Sequence, residues 1–219
     1  MGILIVAATS FEIRPSLRVL KKSNADVAIT GVGCPVSVYS ITKAIERYRP
    51  SVIIQAGIAG GFDRTMPLGT AVAVLQDEFG DIGVAENGQW RSVFDMGFMK
   101  AGTQPFKEGV LKNPNKTLLK HCGLERVKAV TVNEVTTNKA KINLLKNRGL
   151  VLESMEGAAL HYVALMEKVP FLQIRGLSNY VGERDKSRWQ MSEAITNLNR
   201  ELIRIVGAVS SEWSIVNNE

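Results

Sequence analysis

Short continuous apolar runs alternate with stretches in which apolar side chains recur every three or four positions, and this alternation persists along the chain. Residues 3–8 are apolar throughout, which predicts a strand buried on both faces. Thr9 and Ser10 can cap a helix over residues 12–22. A strand over 27–30 ends at Gly31-Val32-Gly33, and a helix over 35–48 follows with Pro35 in its first turn. Residues 51–56 predict another buried strand, ending in the glycine-rich turn Gly57-Ile58-Ala59-Gly60-Gly61. Residues 69–75 predict one more.

The pattern then fails. Residues 79–110 mix Gly, Asp, Asn and Pro with Trp90, Phe94, Phe98 and Phe106 and have no clean period, as a functional or partner-facing loop would. Regularity returns with a helix over 114–121, a strand over 128–132, a helix over 138–147 and a strand over 151–154. A helix over 156–168, a strand over 171–177, a polar loop over 178–187 and a helix over 189–209 complete the chain. With no repeat, low-complexity segment or linker, residues 1–219 read as one α/β domain with a largely parallel sheet covered by helices on both faces. In such folds ligands bind at the carboxyl ends of the strands. These ends carry Ala8-Thr9, Gly31-Val32-Gly33, residues 57–61, residues 133–136, Ser154-Met155-Glu156 and Ser178-Asn179.

Composition adds mostly exclusions. A chain of 219 residues, 45% hydrophobic and 22% charged, can bury a core without disulfide or metal staples. Cys34 and Cys122 belong to no CxxC or Cys/His cluster and read as buried, reduced thiols, so no metal site is expected. The formal charge of +6 is dispersed over Lys21-Lys22, Arg47 and Arg49, Lys139 and Lys141, and Arg184, Lys186 and Arg188. A nucleic-acid binder would gather it into one stripe, so these groups read as solvated faces. The mildly positive surface would also attract a small anion. No basic segment precedes the first apolar run, and that run is too short to span a membrane, so a cytoplasmic protein is expected.

The glycine segments match neither dinucleotide nor triphosphate loops: Val36 breaks GxGxxG, and GxxxxGK(S/T) is absent, so no cofactor is expected. Their simplest reading is tight turns; the functional one is close approach of backbone amides to a ligand. Glu12 and Glu156 each follow a strand. Either alone could be a helix-dipole partner. Two carboxylates at two strand ends in one cleft are what glycosidic-bond chemistry uses. His121 and His161 read as a helix-end and a helix-face residue, without metal-ligand spacing.

The run Glu153-Ser154-Met155-Glu156-Gly157-Ala158-Ala159, with Arg175-Gly176-Leu177-Ser178-Asn179 after the next strand, resembles the purine nucleoside phosphorylase and nucleosidase superfamily. Within it the chain is most similar to futalosine hydrolases and also resembles methylthioadenosine/S-adenosylhomocysteine nucleosidases. The likeness covers nearly the whole chain, apart from residues 79–110. It implies a three-layer α/β/α sandwich with a mixed, mainly parallel sheet, a homo-oligomer of at least two copies, and a purine nucleoside as ligand. It further implies that Glu12 activates the attacking water and that Glu156 accepts from the ribose hydroxyls. Met155 would pack on the ribose, while Ala8, Thr9, Val32, Ala59 and Gly60 line the cleft. Val135 and Thr136 would present backbone to the purine edge, beside Ser178.

Asn179 departs from the adenine-specific pattern, which carries aspartate there. An amide can donate to O6 or N7 but cannot deliver a proton, so a 6-oxopurine nucleoside such as futalosine or inosine is implied. The alternatives are a phosphorylase, an adenine-type nucleosidase, and a ligand- or nucleic-acid-binding protein without catalysis. Glu12 argues against a phosphorylase, since a carboxylate repels phosphate and Arg14 falls on another helix face.

Overall fold

The computed structural model describes residues 2–87 and 89–216, with side chains described through residue 211. Strand β1 (Ile3–Ala7) leads to helix α1 (Ser10–Ile13), a 3-10 turn at Arg14–Ser16, α2 (Leu17–Lys22), β2 (Asp26–Ile29), α3 (Cys34–Tyr48), β3 (Val52–Gly61) and β4 (Ala71–Asp77). A small hairpin, β5 (Gly83–Glu86) and β6 (Gln89–Ser92), and the short β7 (Leu111–Lys112) follow. The rest is α4 (Lys116–His121), β8 (Arg126–Thr131), α5 (Lys139–Asn147), β9 (Leu152–Ser154), α6 (Gly157–Met166), β10 (Phe171–Tyr180) and α7 (Met191–Val216).

The main sheet runs β10-β4-β8-β9-β3-β1-β2, with β7 paired to β4. It is mixed and mainly parallel: β1–β2, β1–β3, β3–β10, β4–β8 and β8–β9 are parallel, while β4–β10, β3–β9 and β4–β7 are antiparallel. Because β10 also pairs with β3, strands β3, β10, β4, β8 and β9 close into a ring, from which β1 and β2 extend. The alternation of side chains along β1 builds the layers. Ile3, Ile5 and Ala7 pack with Ile13, Leu20, Leu198 and Leu202 of α1, α2 and α7. Leu4 and Val6 pack with Ile41, Ala44, Leu160 and Val163 of α3 and α6. A third cluster, including Ala59, Val72, Val127, Leu152 and Leu177, draws on all five ring strands.

Four expectations are corrected. The helix over 12–22 is broken, because Pro15 has no N–H and clashes with the preceding turn; the chain passes through the 3-10 turn and restarts at Leu17. The glycine segment 57–61 is no turn but the second half of β3, paired with β10 and with β9. The same pairing extends β10 through Ser178 and Asn179, which the pattern assigns to a loop. Residues 79–110, expected as a loop, hold the β5–β6 hairpin, and Phe79, Phe94, Met99 and Phe106 pack with α6 in a satellite core while Phe98 is exposed. Phe79, Phe94, Phe106 and Tyr162 meet edge-on or tilted at 5.2–6.3 Å between ring centroids. In addition, α7 begins at Met191, with Trp189 in extended backbone before it.

Candidate active site

Glu12 is the third residue of the one-turn helix that follows β1, and both its oxygens are held. Oε2 accepts from the Thr9 amide at 2.9 Å and the Thr9 hydroxyl at 3.1 Å. Oε1 accepts from the Ile58 amide at 3.0 Å, so β3 and the capping turn fix one carboxylate between them. Gly57 lies behind: a Cβ there would collide with the Arg175 guanidinium and approach Glu12 Oε1.

Glu156 caps α6. Its Oε1 accepts from the Gly33 amide at 3.1 Å, an amide presented by backbone at φ 96°, which favours glycine. Its Oε2 lies 3.8 Å from Arg175 Nη1. Burial raises the Glu156 carboxyl's pKa above its usual value; Arg175 and the Gly33 amide oppose this, and Glu12 adds to it.

On β10, Leu177 pairs with Ala59 and Asn179 with Gly60, leaving Ser178 as the extra residue of a bulge. Successive strand residues ordinarily face opposite ways. The bulge lets both Ser178 and Asn179 line the cleft. Asn179 Oδ1 accepts from the Ser178 hydroxyl at 2.9 Å and its Nδ2 donates to the Tyr180 carbonyl at 3.2 Å, leaving a second N–H hydrogen.

One cleft of about 340 Å³ gathers these groups. Glu12, Glu156 and Asn179 line it with Ala8, Thr9 and Val32 on one side. Ala59, Gly60, Val135, Met155 and Ser178 complete the wall. Thr136 lines an adjoining recess of about 80 Å³ that shares Gly60, Val135, Met155 and Asn179. Every residue given a catalytic or substrate-binding role from the sequence therefore borders this cleft or its recess, whereas the other strand-end residues, Gly31, Gly33, Gly57, Gly61, Asn133 and Glu134, do not. Among the described residues bordering the larger cleft there is no Lys or Arg, Arg184 lines the recess, and the exposed Arg14 sits in the 3-10 turn and lines neither. Among the described residues no group of three His, Cys, Asp or Glu could hold a metal.

A buried polar network behind the cleft escaped the sequence reading. Arg175, 1% exposed, donates to Gln55 Oε1 at 3.0 Å, and Gln55 Nε2 donates to the Glu156 carbonyl at 3.3 Å. Asp77 accepts from Thr131 Oγ1 at 3.0 Å and from Gln173 Nε2 at 3.2 Å, while Thr131 Oγ1 accepts from the Ala158 amide at 2.7 Å. Burial pushes the Asp77 carboxyl up to about 7 and the buried His161 down to about 4. The available signal was polar side chains inside apolar strands: Gln55 in β3, Gln173 and Arg175 in β10. Glu153 was also missed as a cleft residue; its Oε1 accepts from the Thr136 amide at 2.9 Å.

Known proteins resemble this chain in sequence and in fold. The chain is 31% identical over 149 residues to a futalosine hydrolase of Streptomyces coelicolor, an alignment spanning 67% of this chain and 61% of that protein. It is 28% identical to the futalosine hydrolase of Thermus thermophilus over 81% of this chain and 79% of that one. A methylthioadenosine/S-adenosylhomocysteine nucleosidase of Colwellia psychrerythraea is 23% identical over 88% of this chain and 83% of its own length. Among solved structures, a Helicobacter pylori nucleosidase variant with 5'-methylthioadenosine in its active site superposes with TM-score 0.80 at 16% identity, covering 95% of this chain and 99% of that one. The native futalosine hydrolase of Helicobacter pylori gives TM-score 0.77 at 17% identity, over 95% and 98% of the two chains. These likenesses establish a nucleosidase-type α/β fold with a mixed sheet and flanking helices. A family profile described as the Phosphorylase superfamily matches residues 17–210, a span holding the Glu156 motif and the Ser178 bulge. The chain belongs to the Phosphorylase superfamily.

Proposed function

We propose that this protein hydrolyses the N-glycosidic bond of a 6-oxopurine nucleoside, with futalosine as the substrate. The relatives named futalosine hydrolase and methylthioadenosine/S-adenosylhomocysteine nucleosidase support N-glycosyl hydrolysis. The single observation that favours water over phosphate as nucleophile is the charge of the cleft. Three carboxylates, Glu12, Glu153 and Glu156, border it; Arg175 behind it is committed to Glu156 and Gln55, and Arg184 lines only the adjoining recess, so the cleft itself repels an anion. Glu12 takes a proton from a water whose oxygen bonds to C1′ as the C1′–N9 bond breaks. The bonding pair passes into the purine, where the Asn179 amide donates to O6 or N7. The negative charge of Glu156 favours the developing oxocarbenium ion while its oxygens accept from ribose hydroxyls, charge-assisted contacts of about 1.5–3 kcal/mol each. The reading includes a homo-oligomer of at least two copies.

The test is chromatography of products from futalosine, inosine and methylthioadenosine, with and without phosphate. Hypoxanthine released from futalosine without phosphate is the expected result. Base release that depends on phosphate would make the protein a phosphorylase, and release of adenine alone would reassign the base.

A further inference from the structure

Two residues that line the recess each carry a buried polar atom without a well-formed hydrogen bond, Glu153 Oε2 and Thr136 Oγ1, and the Thr136 hydroxyl is the side-chain donor beside the Glu153 carboxyl. Glu153 as a whole is 6% exposed, and its other oxygen already takes the Thr136 amide. A buried carboxylate oxygen left unpaired costs about 1–3 kcal/mol or more, so a ligand that donates to it is favoured.

The sheet register identifies what stands opposite. Gly60 of β3 pairs on one side with Glu153 of β9 and on the other with Asn179 of β10. Directly paired residues project to the same face, so the two side chains flank a glycine that contributes none. Their backbones are two strand spacings apart, about 10 Å, which leaves room for one heterocycle between the side chains. A Cβ on Gly60 would meet Val181 Cγ2 at 3.0 Å and Asn179 Nδ2 at 3.5 Å, so the amide and the valine methyl both border that gap.

Burial raises the Glu153 carboxyl's pKa above its usual value, and the Thr136 hydrogen bonds and Lys141 oppose this; in its ionised form the carboxylate only accepts, and an amide NH2 only donates. The six-membered ring of a 6-oxopurine carries O6, an acceptor, next to N1–H, a donor. A 6-aminopurine presents the reverse: a donating amine beside an N1 that accepts. We infer that Glu153 is a specificity residue whose Oε2 accepts from N1–H of a 6-oxopurine while Asn179 donates to O6 across Gly60. The inference rests on the nucleoside reading for its substrate and adds to it the residue that rejects adenine. Thr136 contributes no backbone donor to this edge, because Glu153 has already taken its N–H.

The experiment is calorimetric binding of hypoxanthine, adenine and 1-methylhypoxanthine to the wild-type protein and to Glu153→Gln. Wild type is expected to prefer hypoxanthine over the other two bases by about 10–100-fold, the effect of one hydrogen bond to a charged group. In Glu153→Gln the amide oxygen keeps the Thr136 contact and the NH2 faces N1, so the hypoxanthine-to-adenine ratio drops at least about tenfold. An unchanged ratio in a variant with wild-type circular dichroism overturns the inference. Wild type binding 1-methylhypoxanthine as tightly as hypoxanthine overturns it without any variant. Nucleoside turnover assayed alongside separates the two claims. Turnover with an unchanged ratio leaves the hydrolase and removes Glu153; a Glu153-dependent preference without turnover does the reverse.

Discussion

At the scale of single residues, the site depends on carboxylates whose oxygens are already held. Glu12 has both oxygens hydrogen-bonded to Thr9 and Ile58, so it is positioned before any substrate arrives. Such anchorage removes rotamer entropy that a free glutamate would lose on binding. Glu12→Gln keeps an acceptor for one of these amides but loses the charge that takes the water's proton. The expected outcome is a fall in kcat of about 10²–10⁴-fold with a smaller change in KM. Near-wild-type turnover in steady-state kinetics would remove Glu12 from the chemistry.

At the scale of elements, the buried network decides how the pieces are held. Asp77 at the end of β4 joins Thr131 of β8 and Gln173 of β10, and Thr131 takes the first free amide of α6. The Asp77 carboxyl sits at about 7 in the fold, raised mainly by burial, against 3.8 when unperturbed. Between those pH values the folded protein holds a proton that the unfolded chain has released. The contribution of this group is therefore fully present below about pH 4 and is lost as pH rises towards 7. Asp77→Asn lacks that dependence. Its melting temperature minus that of wild type is expected to rise from pH 4 to 7 and then level off. A difference independent of pH in thermal scans would show that Asp77 titrates normally.

At the scale of the whole molecule, the ring of β3, β10, β4, β8 and β9 brings segments far apart in the chain to one rim. Among the described residues no helix is long and apolar enough to cross a membrane. A base that binds only the folded rim stabilises the entire fold by mass action. Hypoxanthine at 100 times its Kd is expected to add about 2.7 kcal/mol, on the order of 5–10 °C in Tm for a chain of this size. Adenine at the same concentration should shift the melt less; an equal shift in scanning fluorimetry would contradict the base preference.

Much of this was legible in the chain. Apolar runs marked the buried strands, and glutamates and an asparagine at strand ends marked the cleft, because periodicity and strand-end position are local properties. What local pattern could not decide was whether residues 57–61 turn or continue as strand, since that depends on pairing with β9 and β10. Nor could it show that a bulge at Ser178 turns Asn179 into the cleft, or that Glu153 takes the Thr136 amide and leaves one oxygen bare. Arg175 and Gln55 stood out only as polar residues in apolar strands; their link to Glu156 exists because strands far apart in sequence lie side by side. The sequence by itself determined most of the buried strands and helices and marked Glu12, Glu156 and Asn179 at strand ends, because these are local properties. Tertiary structure alone decided which of their hydrogen-bonding atoms are satisfied and which are left for a ligand, because that depends on partners the chain supplies from a distance.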